Sequence, residues 1–322
     1  MSSPEGQVPP VGYGGGERTT DVLVRELVEL GHEVDLFAGE GSTCPATNLH
    51  IVPGKRMQSE VKMFVTLKLE DRGRQYDIVI DHTAHHLAGQ HFNGHVISIM
   101  GGDPFKKYPH DSVRNKVYKS KEFAWFCNKP NSPVLPSVMG ESPVDVRFYN
   151  DPGPEDYLLY VGMVRKFKGV HIAVEAARIL GVKLKVAGPT TEAEYWEEIT
   201  SDPVVEYLGI LEQEDRDEIF GRAMAFLYPV EVCDCNPNAP KESMLRGTPV
   251  VCSPKGGLLS FVKAGVNGAF ASTAKQFADA VNWVKYFDRA IVRASIIQQT
   301  NSRYAARVLE SLCDRASLGE RW

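Results

Sequence analysis

Short apolar runs alternate along the chain with longer segments in which apolar residues recur every three or four positions. That rhythm predicts strands alternating with helices. In the first half, ERTTDVLVRELVELG reads as a helix with Leu23, Leu27 and Leu30 on one face and Gly31 at its end. Strands are expected at Glu33–Ala38, Asn48–Pro53, Tyr76–Asp81, His95–Met100 and Glu122–Cys127. Residues 56–75 read as a polar helix whose apolar side is Val61, Phe64, Val65 and Leu69. In the second half, strands are expected at Tyr157–Gly162, Lys183–Ala187, Val205–Leu208, Ala223–Tyr228 and Thr248–Cys252. Helices are expected at Val170–Leu180, Glu192–Ile199, Glu212–Ala223, Leu258–Ala264, Lys275–Phe287 and Arg303–Leu312. This succession argues for two parallel, doubly wound sheets. The segment Asn128–Pro154, rich in Pro and Gly and without periodicity, is the best boundary. The expected division is 1–135, 150–300 and a C-terminal helix in 301–322.

Residues 1–16 end in GYGGG and read as a loop feeding the first helix. Gly14, Gly15 and Gly16 let backbone approach a phosphate or sugar closely; a plain turn with a cap explains them as well. Such a loop normally follows a buried strand. Nothing strongly apolar precedes Gly12, so the first strand is lost from this chain or the sheet is built without it.

The stretch YPVEVCDCNPNAPKESMLRGTPVVCSPKGG, Tyr228–Gly257, joins two apolar runs through a polar loop and a short helix. Pro240 suits a first helical turn and Gly247 suits a stop. Glu242 therefore lies near a helix N-terminus, where it either caps the helix or accepts hydrogen bonds from paired ligand hydroxyls. Arg165, Lys166 and Lys168 lie between a strand and a helix, a place where basic groups neutralise a diphosphate or simply form a solvated turn. His82, His85 and His86 follow a strand, as Asp103 follows another. They are read as an active-site polar cluster or as loop histidines, with poor spacing for a metal.

Composition narrows the class. The 322 residues are 43% hydrophobic and 24% charged, globular values. A net charge of −5 gives no polyanion-binding signature, so nucleic acid is not an expected partner. The scattered cysteines suit reduced thiols in a cytoplasm. No run of 18 apolar residues occurs, so no transmembrane segment is expected.

The succession GHEV, DIVIDH, VGMVRKFKG, VAGP, YLG, ESMLRGTPVV and KGG…VNG resembles the retaining GT-B glycosyltransferases of the family-4 type, from about Val11 to Leu312. The resemblance implies two Rossmann-like domains, an active site in the cleft between them, and a final helix crossing back to the first domain; the N-terminal domain's missing first strand is a departure from the family. It implies transfer of a sugar from a nucleotide-sugar donor to an acceptor hydroxyl with retention of configuration, without metal or other cofactor. The acceptor, a small molecule, lipid or glycan, is left open. Lys168 matches the lysine that binds the donor diphosphate, while the family's arginine falls on Met163, with Arg165 as substitute. Glu242 matches the second carboxylate of E-x7-E, which binds the ribose. The first falls on Asp234, with Glu231 competing. Gly15, Gly16, Gly209 and Ile210 fall on the donor side, and His82 and Asp103 on the acceptor side. Ser260 stands where many members have Glu. The departures motivate a second reading, a non-catalytic scaffold or nucleotide-sugar-binding protein. A nucleotide-sugar epimerase is the third, although no full acid–base set is visible for it.

Overall fold

The computed structural model describes residues 1–4, 6–12, 14–54, 57–101, 112–137, 154–211 and 213–322. The chain forms two compact units, Met1–Gly140 with Thr300–Trp322, and Glu141–Gln299. In order, the first unit carries α1 (Gly15–Glu29), β1 (Asp35–Ala38), β2 (Asn48–Ile51), α2 (Met57–Arg74), β3 (Val79–Asp81), α3 (Leu87–His91), β4 (Val96–Met100), β5 (Lys116–Tyr118) and α4 (Lys121–Phe126). The second carries β6 (Tyr157–Val161), α5 (Val170–Leu180), β7 (Lys183–Ala187), α6 (Ala193–Thr200), β8 (Val205–Tyr207), α7 (Gln213–Arg222), β9 (Ala225–Tyr228), α8 (Ala239–Leu245), β10 (Val250–Cys252), α9 (Leu258–Phe261), β11 (Gly268–Phe270), α10 (Ala274–Val284) and α11 (Arg289–Ile297). The last helix, α12 (Ser302–Ser317), belongs to the first unit.

The second unit is a six-stranded parallel sheet in the order β11-β10-β9-β6-β7-β8. Its central strands β6 and β9 are buried along their whole length, as expected of strands covered on both faces. The order reverses at β6–β9, so the loops after these neighbours open at a topological switch point.

The first unit has two parallel sheets, β1-β2 and β3-β4-β5. No strand precedes α1 among the described residues. Met1 and Ser2 lie between the two sheets instead: the Met1 amine donates to Ile80 O (2.8 Å), Ser2 N donates to Phe37 O (2.9 Å), and His82 N donates to Met1 O (3.0 Å). Two residues thus satisfy the facing edges of β1 and β3, where a first strand would lie. In α12, Leu309 and Leu312 share one apolar cluster with Leu23 and Leu27 of α1 and Ile97 and Ile99 of β4.

Two expectations are corrected. The run Glu122–Cys127 lies in a helix, α4, and not in a strand. The Ser120 hydroxyl caps it by accepting from Phe123 N (3.1 Å), Phe123 and Ala124 turn inward, and Trp125 and Phe126 turn outward. Adjacent pairs facing alike follow a helical rhythm, whereas a strand alternates. The strand of this region is β5, which the apolar pattern missed. In α2, Val61, Val65 and Leu69 do not face inward; they are 44%, 51% and 59% exposed. The buried side carries Ser59, Glu60, Met63 and Leu67. Glu60 orients the helix, because its carboxylate accepts from Thr83 Oγ1 (2.6 Å), His85 N (3.0 Å) and His85 Nδ1 (2.8 Å). An anchored buried carboxylate outweighs the outward turn of aliphatic side chains. β11 and α11 also went unpredicted. Asp103 lies outside the described residues.

Leu309→Ala removes a fully buried side chain from the α12 contact with α1 and β4. It is expected to cost about 2–5 kcal/mol, read as a lowered urea midpoint. A midpoint shift under about 0.5 kcal/mol contradicts that packing.

Candidate functional site

In the second unit, the residues named from sequence gather at the carboxyl edge of the sheet. The chain leaving β6 makes a 3-10 turn at Lys166–Lys168 and enters α5 through Gly169. Gly169 has φ +71, and a Cβ there would lie 2.0 Å from Pro229 O, so only glycine lets this turn press against the loop after β9. Glu231 N donates to Phe167 O (2.9 Å) and ties the same two loops.

Across that seam Lys168 Nζ meets Asp234 Oδ2 at 2.5 Å and donates to Tyr228 OH at 3.1 Å, and Tyr228 OH donates to Asp234 Oδ2 at 2.8 Å. Burial pushes the Asp234 carboxyl up. The charge and hydrogen bond of Lys168, the Tyr228 hydroxyl and the charge of Lys241 outweigh it, and the group lies below the usual aspartate range. Lys168 and Tyr228 both engage Oδ2, and among the described residues no donor meets Oδ1. Gly257 N donates to Asp234 O (2.8 Å), and a Cβ on Gly256 would lie 2.2 Å from that oxygen. The glycines of the KGG element thus fix the Asp234 backbone by close approach.

Glu242, in the first turn of α8, is buried and pairs through Oε2 with Arg216 of α7. Among the described residues no donor meets Oε1. Arg246, at the end of α8, donates to Asp217 Oδ1 (2.7 Å) and to Glu242 O (3.0 Å). Arg165 is held by Glu192 Oε1 (3.1 Å) and covers the Phe167 ring at 4.7 Å. Glu192 also accepts from Lys166 N (2.8 Å). Gly209 follows β8 with φ +75, its O accepts from Gly188 N (2.8 Å), and Ile210 beside it is 49% exposed. Glu231 is exposed at the loop surface, and its carbonyl accepts from Lys255 Nζ (2.5 Å).

In the first unit, Gly15 and Gly16 open α1. A Cβ at Gly16 would have nothing within 4 Å. Thr20 Oγ1 lies 3.2 Å from Gly16 O and 3.0 Å from His82 Nδ1. A hydroxyl has one proton; given to Gly16 O, it makes Thr20 the acceptor from Nδ1–H and leaves the lone pair on His82 Nε2. Burial, the Lys119 charge and neighbouring His86 hold His82 well below the usual imidazole range, so the ring is neutral near pH 7. Asp81, fully buried, accepts from Thr83 N (3.1 Å) and Gly89 N (3.0 Å), and its Oδ1 lies 2.6 Å from Thr83 Oγ1, whose single proton it shares with Glu60. It shapes the loop carrying the histidines. Among the described residues no group of His, Cys, Asp and Glu is arranged to hold a metal ion.

A family described as Glycosyl transferases group 1 matches residues 155–284, and one described as Glycosyltransferase Family 4 matches residues 13–137. The structure is similar to that of AviGT4, a glycosyltransferase involved in avilamycin A biosynthesis. Identity is 26%, the TM-score is 0.76, and the match covers 98% of this chain and 94% of that one. It is also similar to HepE from Anabaena in complex with UDP and glucose (13%, TM-score 0.72, covering 94% and 97%). A third similar structure is sucrose-phosphate synthase from Thermosynechococcus elongatus (18%, TM-score 0.69, covering 98% and 94%). No curated protein matches the sequence. The chain is a GT-B glycosyltransferase.

Within this glycosyltransferase, sequence reasoning missed Tyr228, Arg216, Glu192 and Glu60. Tyr228 carried a local signal, a polar side chain closing an apolar strand. Arg216 and Glu192 carried none, because each partner is more than twenty positions away and only the fold brings them close.

The lowered Asp234 value fixes the sign of a pH effect. A carboxyl depressed in the folded state adds stability in full above its unfolded value, about 3.9, and loses it as pH falls through the folded value. The stability gap between the transferase and Asp234→Asn is therefore expected to be constant from pH 7 to about 5 and to shrink below about 4, measured by thermal unfolding. A gap independent of pH down to 3 contradicts the ion pair.

Proposed function

We propose that this glycosyltransferase uses a nucleotide-sugar donor and retains the configuration at the transferred carbon. One observation carries the donor assignment. Asp234 and Glu242, eight positions apart, are each tethered through one oxygen by a cation, Lys168 and Arg216, and each keeps a second oxygen for hydroxyls of a ligand. Fixed carboxylates of this kind recognise paired hydroxyls of a ribose or a hexose at little cost in ordering.

In this reading Glu242 binds the ribose and Asp234 a sugar hydroxyl. Lys168 meets the diphosphate, where negative charge grows as the bond to the sugar breaks. Arg165 supplies the second cation that Met163 cannot. The C1–O bond to the diphosphate breaks, a C1–O bond to the acceptor forms, and the acceptor proton passes to the departing phosphate oxygen. No metal enters this scheme. Acceptor recognition falls to the first unit, where neutral His82 accepts a hydrogen bond from a hydroxyl through Nε2. Binding of UDP and glucose by HepE makes UDP-sugars the first donors to test. The second reading, a donor-binding protein without turnover, is motivated by the absence of an arginine at position 163.

A thermal-shift screen against UDP, GDP, ADP and dTDP sugars is expected to find one donor that raises the melting temperature. Transfer and hydrolysis assays with that donor then separate the enzyme from the binding protein. Lys168→Ala and Glu242→Ala are each expected to weaken donor binding by about 1–3 kcal/mol, and unchanged affinity in both removes the site. Gly16→Ala tests the glycine loop. The added methyl meets no protein atom, so stability is expected to hold or rise by up to about 1 kcal/mol. Turnover is expected to fall, and unaltered turnover rules out a ligand approaching this backbone.

A further inference from the structure

Three strand ends of the first unit meet at a cation that the donor assignment does not use. His82 follows β3, Gly101 follows β4 and Lys119 follows β5. The strands are parallel neighbours, so all three residues stand at the carboxyl edge of one sheet, where α/β sheets gather their ligands. A Cβ placed on Gly101 would lie 2.9 Å from Lys119 Cδ, 2.9 Å from Cε and 3.2 Å from Nζ. The lysine stem thus runs across bare backbone that glycine leaves open. This course carries the ammonium from β5 over the end of β4 toward β3. Its charge reaches both histidines there, because it helps to hold His82 and His86 below the usual imidazole range. Lys119 is half-buried, and among the described residues no carboxylate pairs with it and no oxygen accepts from it.

We propose that Lys119 seats an anionic group, a phosphate or a carboxylate, which the acceptor carries beside its reacting hydroxyl. The proposal rests on the reading of His82 as the acceptor-side residue. Neutral His82 takes the hydroxyl through Nε2 and Lys119 takes the charge, so an acceptor with both groups is held at two points and a neutral one at a single point. A lysine ammonium is a compact point charge, and it reads the sign of the group more than its shape. The acceptor class narrows to hydroxyl compounds with an anionic substituent, such as sugar phosphates and uronic acids.

The test is an NMR titration of the full chain, its histidine rings labelled, with inorganic phosphate, glucose 6-phosphate, glucuronate and glucose at constant pH and ionic strength. The His82 ring resonances are expected to move with the anions at concentrations where glucose leaves them in place. Whether phosphate or glucuronate acts at the lower concentration sorts the two groups. Lys119→Met is expected to weaken the anion effect about tenfold, and Lys119→Arg to keep it. The side chain is half-buried, so both variants are expected to fold, and their UDP affinity is expected to match wild type. Resonances that ignore every anion in the wild-type protein overturn the proposal and leave the lysine to tune the ring alone. So does an anion effect that survives in Lys119→Met. Loss of UDP affinity in Lys119→Met overturns it too, by assigning the lysine to the donor diphosphate. The anion titration needs no donor, so its failure and the failure of the nucleotide-sugar reading are told apart.

Discussion

The salt link between Lys168 and Asp234 joins the loops of two neighbouring strands, β6 and β9, at the point where the sheet reverses its order. Much of the second unit's edge is arranged around it. Gly169 brings the lysine turn against Pro229, Gly256 and Gly257 clamp the aspartate backbone, and Tyr228 bridges the two charges. A half-buried pair like this is weak evidence of stability, since desolvation cancels much of the attraction. Its value lies in position. An aspartate fixed by a lysine cannot wander, and the carboxylate oxygen it leaves over has one direction.

The first unit solves a different problem. Among the described residues no strand lies between β1 and β3, and two residues, Met1 and Ser2, make hydrogen bonds to both sides. That contact reaches the histidine loop directly, because His82 N donates to Met1 O. Backbone satisfaction and the placement of His82 are therefore one event. The Thr20 hydroxyl completes it by fixing the ring tautomer from the opposite side.

Element types were legible where periodicity was strong. β6, α5, β7 and α12 follow their apolar patterns within a residue or a few. Patterns misled where a polar anchor decided the outcome. Glu60 turned α2 over, and the Ser120 cap made a helix of an aromatic run that resembles a strand. α11 also has a cap, Asp288 accepting from Ala290 N (2.8 Å), but its apolar face follows directly on α10 and merges with it in the sequence. The GTPVV element owes its shape to packing. Thr248 Oγ1 donates to Phe220 O (2.6 Å) and accepts from Arg289 (2.8 Å), pinning the start of β10 to the end of α7. Candidate site residues were legible as positions at strand ends. Their ion pairs were not, because each charged partner lies more than twenty positions away.

Those pairings also decide which cation can move. At the carboxyl edge, Arg165 faces Glu192, Lys168 faces Asp234 and Arg216 faces Glu242, so a diphosphate entering this edge meets cations already matched. Release of Arg216 leaves Glu242 buried without its partner, a loss of several kcal/mol. Release of Lys168 does the same to Asp234. The Arg165–Glu192 pair is about a third exposed on both sides, and surface pairs of that kind contribute about 0–1 kcal/mol. Glu192 keeps the Lys166 backbone N–H when the guanidinium leaves. Under the proposed donor assignment Arg165 is therefore the cation that can turn toward a diphosphate at least cost, and it would supply the charge that Met163 lacks.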